Sequence, residues 1–148
     1  MIAVSPSDYY TNERTLMNTN RDIAALVARI LLTFMFIFAG YGKITGFEGT
    51  VGYIAGAGMP APQLMAIGAI AVELGGGLLL LVGYKARWAA LAIFLFLIPA
   101  TLIFHNFWAA PPDQYQAQMG NFMKNFTIMG GMLMVWAFGP GRYAIDKT

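Results

Sequence analysis

The side chains able to carry chemistry in this chain of 148 residues are few: Arg29, Lys43, Glu73, His105, Lys124 and Asn125, with no cysteine anywhere. Glu73 is the most informative, because it stands in Ala71-Val72-Glu73-Leu74-Gly75-Gly76-Gly77 inside the apolar run from Pro62 to Val82. At about 1.5 Å per residue it lies roughly 16 Å into a helix that begins at Pro62. That depth is close to the midplane of a hydrocarbon layer about 30 Å thick. A carboxylate there is costly unless paired, and it marks either a proton carrier or an ion pair that fixes helix register. Its helical neighbours Ala66, Ala69, Gly76 and Gly77 are small, so its face is predicted to pack against other helices.

A lone carboxylate needs a partner, and depth chooses between two. Arg29 lies about 9 Å into the first apolar helix from one end, within reach of Glu73 for a guanidinium. Lys43 reaches Glu73 only if the first helix tilts or ends early. The predicted structural ion pair is therefore Arg29 with Glu73. His105, Lys124, Asn125 and Lys43 form a second group, each near the same end of a predicted helix, and are expected to line one polar pocket with Trp108 as its rim. The simpler alternatives are an interfacial histidine at His105 and an aromatic belt of Phe107, Trp108 and Tyr115 at the headgroups. The ten methionines are scattered fillers of irregular packing. A single histidine and no cysteine argue against haem, Fe–S or transition-metal sites, so the expected metal ligands are none.

The elements that must hold these residues are helices in lipid. The chain is 58% hydrophobic and only 11% charged, with a mean hydropathy of +0.61, against about 25% charged residues in a soluble domain. Residues 1–21 read as a polar tail. Residues 22–146 read as one all-α, integral membrane four-helix bundle. The spans are predicted near Asp22 to Gly42, Pro62 to Gly83, Trp88 to Phe104 and Gly120 to Phe138, with a short interfacial or re-entrant helix near residues 47 to 56. Pro99 is expected to kink the third span. Arg14, Arg21, Lys85, Arg87, Arg142 and Lys147 fall on one side and Lys43 and Lys124 on the other. That excess of six over two places both termini in the cytoplasm. The net charge of +2, with scattered basic residues, gives no footprint for nucleic acid.

The order of motifs then resembles a known family. Ala39-Gly40-Tyr41-Gly42-Lys43-Ile44-Thr45-Gly46-Phe47, Glu73-Leu74-Gly75-Gly76-Gly77-Leu78-Leu79-Leu80-Leu81-Val82-Gly83, Phe104-His105-Asn106-Phe107-Trp108, Lys124-Asn125 and Gly139-Pro140-Gly141-Arg142 with Asp146 together resemble the DoxX family of small four-helix membrane proteins. The resemblance spans about residues 21 to 146. It implies a multi-pass protein of a bacterial or archaeal inner membrane, associated with quinone-linked redox chemistry through a partner subunit. On that reading Glu73 and His105 handle protons, and Lys43, Trp108, Lys124 and Asn125 bind a quinone or another ligand. Quinone is the cofactor expected; no haem or nucleotide is. Membrane lipid is the first partner, a redox subunit the second, and a homo-oligomer is compatible. The rival functions are a non-catalytic membrane anchor or assembly subunit for a partner enzyme, and a small proton-coupled transporter using Glu73.

Overall fold

The computed structural model describes residues 6–146, with side chains from residue 17 onward. Among these residues the fold is all-helical. Helix α1 runs Pro6–Thr45, α2 Phe47–Gly56, α3 Pro62–Val82, α4 Ala86–Phe104 and α5 Tyr115–Phe138. Three segments, Met17–Thr45, Pro62–Val82 and Ala86–Ala109, are long and apolar enough to cross a membrane. Helix α5 matches them in length but begins with polar turns, and it packs along α4.

Three boundaries differ from the sequence reading, the end of the first helix among them, at Thr45 rather than Gly42. The first helix starts at Pro6 rather than near Asp22, so no break in secondary structure separates the polar stretch from the first span. Once a long helix is nucleated, adding polar residues to its end costs little. The last helix starts at Tyr115 rather than Gly120, because the Pro111 carbonyl accepts N–H bonds from Gln114 and Tyr115 and winds the loop into a first turn.

The helix junctions follow from glycine and proline. Gly46 joins α1 to α2 with the helical bond pattern nearly unbroken, since Gly46 N bonds Gly42 O at 2.9 Å and Thr50 N bonds Gly46 O at 3.0 Å. Pro62 opens α3, where its missing N–H is not needed. Gly83, at φ 73°, closes α3: its N–H bonds Leu80 O, while the Tyr84 N–H bonds Leu79 O, the paired pattern of a Schellman end. Pro99 sits inside α4 without ending it.

Small residues let the spans approach. A Cβ on Gly40 would lie 2.7 Å from Leu74 Cβ and 2.8 Å from Leu74 N, and one on Gly77 would press on Phe36 and Ile37. The core contains Phe36, Leu80, Ala90, Ile93, Leu97, Ile128 and Met132. Leu31, Phe34, Phe38, Trp88, Phe126 and Phe138 point outward, as expected where lipid replaces water at the surface.

Residues 139–146 fold back as a strap rather than trailing away. Ile145 N bonds Val82 O, Asp146 N bonds Gly83 O, Arg142 N bonds Asp22 Oδ1 at 3.1 Å, and the Lys85 N–H donates to the Asp146 carboxylate. The strap thus ties the α3–α4 turn to α1.

Candidate functional site

Glu73 sits in the middle of a π-helical turn, Ala71–Gly75, within α3. Such a turn carries one more residue than an α-turn and is frequent at functional sites. Gly76 and Gly77 follow the turn and let α3 lie close to Ile93 on one side and to Phe36 and Ile37 on the other. The Glu73 side chain is buried, and its Oε2 lies 2.7 Å from Lys43 Nζ. The two are close as ions, without the alignment of a hydrogen bond.

This pairing corrects the expectation that Arg29 holds Glu73. The antiparallel register is fixed by Gly40 against Leu74 and Ile37 against Gly77, which sets Lys43 level with the π-turn. Arg29 lies fourteen residues back along α1, about 21 Å. The depth argument failed because α1 continues to Thr45, so Lys43 is still on the helix and faces inward. Arg29 is fully buried and serves the opposite end of the bundle. Its Nη1 donates to Leu80 O at 3.3 Å and Leu81 O at 3.2 Å, and its Nη2 donates to Tyr143 O. A cation on the last carbonyls of a helix is favoured by their partial negative charge. Arg29 thereby pins the strap.

Above Glu73 opens a cavity of about 920 Å³ lined by side chains of all five helices. Its polar lining includes Lys43, Glu73, His105, Lys124 and Asn125, five of the residues singled out from sequence. Asn125 is buried and donates from Nδ2 to Thr101 Oγ1 at 3.0 Å. His105 Nδ1 faces Gln118 Oε1 at 3.0 Å. With Nδ1–H given to that amide oxygen, a neutral His105 keeps Nε2 as an acceptor. Lys124 Nζ donates to Asn121 Oδ1 at 3.0 Å and has no carboxylate partner among the described residues. Trp108 does not line the cavity: it joins an aromatic cluster, edge-on to Phe107 at 5.2 Å and to Phe122 at 5.8 Å.

Sequence reasoning missed three supports of this site. Thr101 orients Asn125 and Gln118 orients His105. Tyr53 of α2 stacks on Phe104 at 5.2 Å and donates to Phe104 O, bringing α2 over the cavity. A hydroxyl in the apolar run of α4 was a readable signal for Thr101. Nothing in the spacing announced Gln118 or Tyr53.

Comparison with known proteins agrees with this architecture. Residues 24–106 match the family model described as DoxX. The chain belongs to the DoxX family. This DoxX protein is 40% identical to the inner membrane protein YqjF of Escherichia coli, over 88% of its own length and 95% of that protein. It is 35% identical to the inner membrane protein YphA of the same organism, over 86% and 91%. A more distant similarity, 24% identity, covers 88% of the DoxX chain and 39% of a Surfeit locus protein 4 homolog of Schizosaccharomyces pombe. No solved structure matches. With three apolar helices of spanning length, the DoxX chain is a multi-pass inner-membrane protein.

Proposed function

We propose that this DoxX protein holds a quinone in the cavity above Glu73, as the membrane subunit of a quinone-linked oxidoreductase system. The observation that carries the reading is the union, in one space of about 920 Å³, of an apolar lining with a few convergent polar groups. That is the usual anatomy of a site for a small amphipathic molecule. A quinone supplies the redox chemistry when bound, taking electrons from a partner subunit and protons from its surroundings. The residues of this chain would do the rest. Lys124 offers ammonium donors and Asn125, held by Thr101, a fixed amide to the quinone carbonyls, while His105 Nε2 is an acceptor for a hydroxyl of the reduced quinol. The Lys43 and Glu73 pair, deeper in the same cavity, supplies a site where a proton can be gained or lost next to the ring.

The test is direct binding. The detergent-purified protein, titrated with a short-chain ubiquinone, is expected to show saturable binding that weakens about tenfold, one hydrogen bond's worth, in K124M and in N125L. If the unmodified protein binds no quinone, or if both variants bind as well as it does, the reading fails. Copurification of an enzyme by a protein without quinone affinity would then favour the anchor function.

A further inference from the structure

We infer that a groove between the start of α4 and the end of α5 is a binding site for the headgroup of an anionic phospholipid. The groove lies at the strap end of the bundle, away from the Glu73 cavity, and is independent of the quinone reading. It encloses about 540 Å³ and is lined by Arg87, Trp88, Trp136 and Ala137.

Charge complementarity identifies the occupant. Arg87 has no hydrogen-bond, ion-pair or ring partner among the described residues. The nearby acids are already engaged: Asp146 accepts from the Lys85 N–H and Asp22 from the Arg142 N–H. Lys85 lies outside the groove, its ammonium 5.9 Å from the Tyr84 ring centroid, and adds only to the positive charge of this end of the bundle. A guanidinium offers paired donors that fit a phosphate. The walls distinguish a lipid from a free anion. Trp88 and Trp136 are 69% and 45% exposed, and indoles settle where headgroup meets acyl chain. A bare phosphate would leave most of the groove empty and would gain nothing from two indoles. Basic pockets between spans are a known mode of recognition for anionic headgroups.

The test uses the full-length protein carrying W108F, so that Trp88 and Trp136 report alone, reconstituted in phosphatidylcholine vesicles. Brominated phosphatidylglycerol is titrated in and its quenching is compared with that of brominated phosphatidylcholine. The expected result is half-maximal quenching at about a fivefold lower mole fraction for phosphatidylglycerol, the effect of one basic side chain near a lipid phosphate. R87Q should erase the difference and R87K retain it. High salt should erase it in the protein with Arg87 intact, which decides the matter even if R87Q does not fold. Equal quenching by the two lipids overturns the proposal, as does a preference that survives R87Q and salt. Displacement of phosphatidylglycerol by millimolar inorganic phosphate also overturns it, since the occupant would then be a small anion.

Discussion

Lys43 and Glu73 form the pair on which the cavity's inner end depends, and their energetics separate pairing from simple proximity. Breaking a buried pair leaves an uncompensated charge, which costs about 3 kcal/mol or more. Lys43 is 29% exposed at its side chain, so K43M should fall at the low end of that range. The double variant K43M/E73L removes both charges and should be more stable than K43M alone, as read by thermal unfolding in detergent. Additive losses in the double variant would show that the two residues do not interact. Arg29 and Glu73, by contrast, lie far apart along the bundle. R29M and E73L are expected to combine additively in the same assay.

At the level of elements, the contact of Gly40 with Leu74 locks the π-turn against α1. G40A places a Cβ 2.7 Å from Leu74 Cβ and 2.8 Å from its backbone nitrogen, so α3 must move and Glu73 must shift from Lys43. The expected loss is about 1–3 kcal/mol, typical of overpacking, whereas G42A meets open space and should change stability little. At the other end, R29M leaves the carbonyls of Leu81 and Tyr143 without their side-chain donor, while Leu80 O keeps the Gly83 N–H. Hydrogen exchange at the Ile145 and Asp146 amides should then accelerate, because the strap loses its central tie. Unchanged protection there would mean that the strap is held without Arg29, by its bonds to Val82, Gly83, Asp22 and the Lys85 N–H.

These elements also show what could be read from sequence. The apolar runs and the signals at Pro62, Gly83 and Gly139 located most helix ends, because each has a local physical cause, whereas Gly42 marks no end, since α1 runs on to Thr45. The register between α1 and α3 had none. It depends on where Gly40 meets Leu74, a contact between residues far apart in the chain, and so the partner of Glu73 was misassigned. The π-turn was equally hidden, since Ala71-Val72-Glu73-Leu74-Gly75 is as compatible with an ordinary α-turn. Lys43, His105, Lys124 and Asn125 were legible as a group because each lies near a helix end on the same side.

For the molecule as a whole, the strap and the α3–α4 turn share one end of the bundle, and the polar lining of the cavity lies toward the other. The excess of Lys and Arg at the strap end predicts that this end faces the cytoplasm. A reporter active only in the periplasm, fused after Thr148, should be silent, and the same reporter inserted after Asp113 should be active. The reverse pattern would invert the topology. Because the chain has no native cysteine, single cysteines at D113C and Y84C, probed with an impermeant maleimide on intact cells, give an independent check: only D113C should label.

Arg29 has a further consequence in the order of synthesis. Tyr143 is 114 residues downstream, so at about 5–20 residues per second the ribosome delivers the last carbonyl for the guanidinium roughly 6 to 23 seconds after Arg29 itself. Leu80 and Leu81 arrive partway through that interval. The first span therefore enters the membrane before its guanidinium has these acceptors, and toward the strap end the long side chain can reach the interface meanwhile. Its insertion is completed only when the end of the chain returns to meet it. A nascent chain stalled after Phe138 should accordingly be a better substrate for membrane quality-control proteases than one stalled after Asp146, although the two contain the same spans.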